Sequence, residues 1–266
     1  MRDVAALVLL AVQAARAGAR VHRAGLGRAH EITTKATATD VVTEVDREAE
    51  RVIVDVILAE RPDDAVLAEE ATVREGTSGV RWIVDPLDGT TNYIYRYPAF
   101  GVSIGVEVDG SLVGGVVHDT ARDRVYTGIV GAGAACNGQT IRVRDHADLP
   151  TALVATGFQP QPERRAWQAG VLGRVLPRVR DVRRGGSAAI DLCTVACGSL
   201  DAFYEAGLAE WDMAAGTAIV RAAGGVVQMF ERPSAPAPLL VASGPRLAEA
   251  LAELLREAGA MATSHA

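Results

Sequence analysis

The stretch that most constrains this chain is Trp82-Ile83-Val84-Asp85-Pro86-Leu87-Asp88-Gly89-Thr90-Thr91-Asn92. Its leading apolar residues read as a buried strand, and Gly-Thr-Thr-Asn as the turn that opens a helix. Asp85 and Asp88 therefore fall where a strand gives way to a helix, with Pro86 and Leu87 between them. The free N–H groups and positive dipole end of a helix attract anions. Two unpaired carboxylates at that point would repel each other and be costly to desolvate, and a divalent cation relieves both problems.

The rest of the chain must supply a core around that turn. Of its 266 residues, 49% are hydrophobic, ample for one large core or two tightly joined lobes. Twenty-seven Lys plus Arg against 33 Asp plus Glu give a net charge of -6, which argues against a nucleic-acid surface and suits an enzyme that recruits cations. Cys136, Cys193 and Cys197 cannot all pair and have no zinc-type spacing. Cys193 and Cys197 read as small core residues, consistent with reducing, cytoplasmic surroundings. The histidines show no metal or triad spacing, and there is no Gly-x-Ser-x-Gly elbow.

Residues 3–24 read as an amphipathic helix, with Val4, Leu7, Val8, Ala11 and Ala15 on one face, rather than as a secretory leader. No stretch reaches the roughly 18 apolar residues expected of a membrane span. Residues 31–39 read as a loop or irregular hairpin carrying Lys35, and Thr43 as the cap of a helix running to Glu60, with Asp46 completing a capping box. Ala65–Ala68 is a short strand ending at Glu69-Glu70, and Arg74–Gly79 a loop. Asp109-Gly110 between two apolar runs marks a hairpin. Gly131-Ala132-Gly133 has no third glycine in place and no βαβ unit after it, so it is not a dinucleotide site. Further on, helices are expected over 164–178, 188–197, 211–223 and 246–257, interleaved with strands near 152–157, 181–184, 202–205, 226–230 and 239–242. The alternation indicates a layered α/β fold.

Four pieces in order resemble one family: Asp40-Val41-Val42-Thr43-Glu44-Val45-Asp46, Ala68-Glu69-Glu70, Trp82–Asn92, and Glu210-Trp211-Asp212-Met213-Ala214-Ala215-Gly216. Together they resemble the Mg²⁺-dependent, lithium-sensitive inositol monophosphatases of the sugar-phosphatase superfamily, over about residues 3–255. The resemblance implies an αβαβα sandwich, a single domain over 1–266 with lobes of roughly 1–150 and 151–258, and usually a homodimer. It implies two or three Mg²⁺ ions. Glu69, Asp85 and the Leu87 carbonyl would hold the first, and Asp85, Asp88 and Asp212 the second; Glu70 competes with Glu69 as the ligand. Thr90 and Asp46 would orient and deprotonate the attacking water, with Lys35 a nearby cation. Gly89 and Thr90 would take the phosphate, while Gly186, Ser187, Ala188, Glu205, Asp88 and Asp212 would face the polyol or sugar. Simpler readings stand beside these: Asp46 as a capping residue, Asp212 as an N-cap, Gly186–Ala188 as a glycine-rich helix start, and Arg183-Arg184 as ordinary strand residues rather than an RNA patch.

The activity implied is Mg²⁺-dependent hydrolysis of a phosphate monoester, with inositol-1-phosphate as the leading substrate. Fructose-1,6-bisphosphate, histidinol phosphate and 3′-phosphoadenosine-5′-phosphate are the alternatives within the superfamily. A non-catalytic partner of the transcription machinery is the alternative outside it, and no membrane partner is expected.

Overall fold

The computed structural model describes residues 3–28, 32–34, 41–231 and 238–261. An eight-stranded sheet grows around the central β5 (Val80–Asp88). On one side of it lie β3 (Ala65–Ala68) and β4 (Val73–Arg74); on the other, β6 (Gly101–Val108), β7 (Ser111–Asp119), β8 (Arg124–Ile129), β9 (Gly133–Cys136) and β10 (Gln139–Ile141) follow in sequence order. Only β3 and β5 run parallel in this sheet. A five-stranded sheet has the order β12 (Asp181–Arg183), β11 (Leu153–Thr156), β13 (Ala202–Ala206), β15 (Leu239–Ser243), β14 (Val226–Phe230). β1 (Ile32–Thr34) pairs antiparallel with β2 (Val41–Thr43) in a two-stranded ribbon, and the rest of the loop or hairpin expected over 31–39 lies outside the described residues.

Helices fill the layers between and outside the sheets. α1 (Val4–Gly25) and α2 (Glu44–Glu60) pack on one face of the large sheet, sharing a core of Leu7, Ala11, Ile53, Ile57, Trp82 and Ile104. α5 (Ala188–Ala196) and α6 (Glu210–Ala222) form the middle layer, with Leu192, Phe203, Ile219 and Ala242 in its core. Gly115 admits α6 this closely, since a Cβ there would lie 2.5 Å from the Ala215 carbonyl oxygen. α4 (Pro162–Val175) and α7 (Ala248–Glu257) cover the far face of the small sheet over Val154, Tyr204 and Val241. The result is the expected five-layer αβαβα sandwich.

Several local expectations need correction. The segment read as a loop over 74–79 begins inside β4, whose residues pair antiparallel with β3. The helix expected over 164–178 starts at Pro162, a residue suited to the first turn, and becomes a 3₁₀ turn over Leu176–Arg178, where Pro177 has no N–H to continue it. α1 is long and apolar enough, by length and composition, to cross a membrane, contrary to the expectation that no stretch is. Half of that helix is buried against α2 and the sheet, the packing expected of its amphipathic face.

Candidate active site

The site is built where β5 meets α3 (Thr90–Tyr95). The strand continues through both aspartates, but its ladder with β6 jumps from Asp85↔Ser103 to Asp88↔Gly101, so Pro86 and Leu87 form a bulge. Within the bulge the Asp85 Oδ1 accepts from its neighbour's N–H, Leu87 N, at 3.0 Å. Gly89 makes the turn into the helix at φ 91, and a Cβ there would fall 2.7 Å from the Ala99 carbonyl oxygen. Only glycine meets both conditions.

Sheet register gathers the other carboxylates. Parallel pairing sets Ala68 opposite Val84, and the Glu69 N–H donates to the Val84 carbonyl at 3.1 Å, bringing Glu69 level with Asp85. Glu69 makes a side-chain hydrogen bond with Asp85. Its neighbour Glu70 instead gives its N–H to Glu50 Oε2 at 2.7 Å, in a turn that Glu50 also holds through Ala71 and Thr72. Of the two glutamates, Glu69 is the one against Asp85. Asp212 comes from the start of α6, which Ser103 holds by donating to the Trp211 carbonyl at 3.3 Å. Asp212 is not the N-cap: Ala209 is, and Asp212 accepts its N–H at 2.7 Å from the third helical position.

Burial raises the Asp85 carboxyl well above the usual range, helped by the charges of Glu69, Asp88 and Asp212. Burial also lifts Asp88, to about 6, against hydrogen bonds from Ser187 and Ala189 that hold it down. Those two donors share one oxygen, Asp88 Oδ2, at 2.6 Å from Ser187 Oγ and 2.8 Å from Ala189 N. Behind them, burial pushes Asp191 up to about 7 and Glu205 up to about 8, each aggravated by neighbouring carboxylates. Glu205 lies against Gly157, where a Cβ would sit 2.0 Å from its Oε2. Asp85 and Asp88 take part in no ion pair among the described residues.

Hard oxygen donors gathered around the buried Asp85, with Glu69, Asp88 and Asp212 half-buried beside it, suit a hard divalent cation such as Mg²⁺. Among the described residues, no three His, Cys, Asp or Glu side chains already stand as a ready-made cage, so the fit is one of donor chemistry and proximity. A phosphate ester would be repelled by this cluster unless cations came between.

Asp46 divides its two oxygens. Oδ2 accepts from Thr43 N at 2.8 Å and Thr43 Oγ at 2.7 Å, completing the capping box of α2, while Oδ1 lies 2.9 Å from the Thr90 hydroxyl. The capping role is therefore present, and the same carboxylate also reaches Thr90. Burial raises its carboxyl, offset by the Thr43 and Thr90 hydrogen bonds. Thr90 Oγ is also 3.1 Å from the Leu87 carbonyl oxygen, so one hydroxyl touches both Asp46 and the bulge. Lys35 lies outside the described residues.

Gly186 and Ser187 lead into α5, whose N-cap Ser187 accepts from Ile190 N at 3.3 Å; the glycine-rich helix start is real, and it also delivers Ser187 and Ala189 to Asp88. Sequence reasoning missed several supports. Asn92 donates to the carbonyls of Ala99 (2.7 Å) and Gly185 (2.9 Å), tying α3 to the Gly185–Ser187 turn. Arg81 grips Glu210 through two bonds of 2.8 and 2.6 Å, joining β5 to the start of α6. Asp191 and Glu50 were missed as well.

The layered fold with a carboxylate-lined strand–bulge–helix is the architecture of a layered α/β protein with a candidate metal site. The model of the inositol monophosphatase family matches residues 3–260, and the chain belongs to that family. It is 42% identical over 242 residues to the inositol-1-monophosphatase of Mycobacterium leprae, covering 87% of this chain and 83% of that one. It is 43% identical over 195 residues to the Nus factor SuhB of Escherichia coli, covering 73% of each. The crystal structure of the extragenic suppressor protein suhB of Bartonella henselae superposes with a TM-score of 0.88 at 35% identity, covering 95% of this chain and 99% of that one.

Proposed function

We propose that the chain is a Mg²⁺-dependent phosphate monoester hydrolase acting on inositol-1-phosphate or a closely related polyol phosphate. The observation that carries this reading is the Asp46–Thr90 pair, hydrogen-bonded at 2.9 Å beside the bulge between the buried Asp85 and the half-buried Asp88. A base linked through a hydroxyl to a carboxylate cluster serves the activation of water and has no evident use in a binding module.

In this reading Glu69, Asp85, the Leu87 carbonyl, Asp88 and Asp212 hold Mg²⁺, which when bound neutralises phosphate charge and acidifies water. The first-turn N–H groups of α3, which a helix leaves without internal acceptors, receive the phosphate at Gly89–Thr90. Thr90 orients the water by its hydroxyl and relays a proton toward Asp46, whose other oxygen is already committed to Thr43. Water attacks phosphorus in line, the ester P–O bond breaks, and the leaving polyol oxygen takes a proton from solvent water while Asp46 returns the one it received to solvent. Gly186, Ser187, Ala188 and Glu205 line the side on which the polyol sits. No side chain acts as nucleophile, so no phosphoenzyme forms, and the protein's part is positioning and charge neutralisation.

The test is phosphate release from inositol-1-phosphate, fructose-1,6-bisphosphate, histidinol phosphate and 3′-phosphoadenosine-5′-phosphate, each with Mg²⁺, with EDTA and with added Li⁺. Preference for inositol-1-phosphate with Li⁺ inhibition supports the reading; another preferred ester moves the substrate and keeps the mechanism. The similarity to a protein named Nus factor supports a second reading, attachment to the transcription machinery. Mg²⁺ binding without turnover of any ester would favour it. A homodimer is part of the proposal and is checked by sedimentation.

A further inference from the structure

His22 is fully buried on the last turns of α1, distant in sequence from every signature segment, yet it touches the metal-site bulge. Its Nε2 lies 2.8 Å from the Pro86 carbonyl oxygen and its Nδ1 3.1 Å from the Thr120 hydroxyl. We propose that His22 is a positioning residue that fixes the Pro86–Leu87 peptide, and through it the Asp85–Asp88 turn that holds Mg²⁺. The inference rests on the metal-dependent reading above.

Pro86 has no N–H, and it lies where the β5–β6 ladder skips, so its carbonyl has no strand partner. A buried carbonyl without a donor is costly, and His22 supplies the donor. The Pro86 C=O and the Leu87 N–H belong to one peptide plane. His22 holds the first, and Asp85 Oδ1 accepts from the second at 3.0 Å. With both ends bonded the plane cannot rotate, and its orientation sets the direction of the next carbonyl, Leu87, and the aim of Asp85.

The imidazole itself is held in one state. A carbonyl only accepts, so Nε2 must carry the proton, which leaves Nδ1 to accept from Thr120. Burial keeps the ring neutral, lowering its pKa to about 3. Tyr93 and Phe100 pack around it with ring centroids 6.0 and 6.3 Å away. The Tyr93 hydroxyl donates to the His22 backbone carbonyl at 2.9 Å, so α1 is strapped to residues on both sides of Gly89.

The test compares His22→Gln, His22→Asn and His22→Leu in the full chain. A glutamine amide reaches the Nε2 position and keeps the bond to Pro86; asparagine is equally polar but falls short, and leucine has no donor. Calorimetric Mg²⁺ titration is the main readout, with thermal unfolding in EDTA and the Mg²⁺ dependence of phosphate release beside it. Outer partners of a metal site change affinity by about 10–100-fold. Acting through one peptide, His22→Asn and His22→Leu are expected at the low end, about tenfold weaker for Mg²⁺, with His22→Gln within about twofold of wild type. If the leucine variant does not fold, the asparagine and glutamine variants decide. Equal Mg²⁺ affinity in asparagine variant and wild type, whatever the change in Tm, would overturn the inference, as would a glutamine variant as weak as the asparagine one. A wild-type chain that binds no Mg²⁺ would overturn the metal reading and this inference with it.

Discussion

Asp88→Asn should make the metal-free protein more stable while abolishing the proposed activity. Asp88 is lifted from 3.8 to about 6, so in the folded, metal-free chain its charged form is disfavoured by about two units, or about 3 kcal/mol. The sign follows from the shift: a carboxyl raised in the folded state stabilises below its unfolded pKa and loses that contribution as pH rises through the folded one. At pH 8 the full penalty applies to wild type and vanishes in the amide. Shape is preserved, because Ser187 and Ala189 both donate to the single oxygen Oδ2, which an amide oxygen replaces. The gain in unfolding free energy is therefore expected at about 1–3 kcal/mol at pH 8, about half that at pH 5, and close to zero near pH 4. Urea unfolding in EDTA at the three pH values reads it directly. Adding Mg²⁺ should close or reverse the gap, since at a hundredfold excess over Kd wild type gains about 2.7 kcal/mol that the variant lacks. A variant less stable than wild type in EDTA at pH 8 would refute the claim that the Asp88 carboxylate is desolvated at a cost in the metal-free fold.

Other perturbations probe other links. Thr90→Ala should lower kcat by roughly 10²–10⁴-fold with Mg²⁺ affinity nearly unchanged, and Thr90→Ser should recover most of it, as steady-state kinetics would show. Gly89→Ala places a Cβ 2.7 Å from the Ala99 carbonyl at a positive φ and should cost more than about 1 kcal/mol in urea unfolding along with most of the activity. His22, lowered from 6.5 to about 3, binds its proton more readily when unfolded, so stability should fall by about 1.4 kcal/mol per pH unit below 6.5. That slope should be shallower in His22→Gln, where the buried His118 still contributes its own, as acid titration of both proteins by circular dichroism would reveal. Lys35 is the chain's only lysine; if it serves the site, acylating it selectively should slow phosphate release, and substrate with Mg²⁺ should protect it.

What the sequence disclosed and what it withheld divide along chain distance. The Thr43–Asp46 capping box, the strand-to-helix turn at Gly89 and the Asp109-Gly110 hairpin are written in residues a few positions apart, where local periodicity and turn chemistry act. The four carboxylate segments were recognisable because each is a compact motif, even though no spacing rule says that Glu69 would come level with Asp85. The supports were not legible. Arg81 and Glu210 are 129 residues apart, Asn92 and Gly185 are 93 apart, and His22 and Pro86 are 64 apart, so only tertiary packing joins them. Glu50 looks like any solvent-side glutamate in its helix, yet it is buried and holds the turn after Glu69. Asp191 falls within an apolar helix, and nothing in that pattern indicates that it adds to the charge around Asp88.

The central claim is that the carboxylates on the β5–α3 bulge recruit Mg²⁺ to hydrolyse a phosphate monoester. Its most direct test strips the protein with EDTA and follows phosphate release from inositol-1-phosphate as Mg²⁺ is returned, for wild type and Asp88→Asn side by side. The account predicts no release at zero metal, saturable recovery in wild type and none in the variant. Release without metal, or recovery in Asp88→Asn equal to wild type, would contradict it.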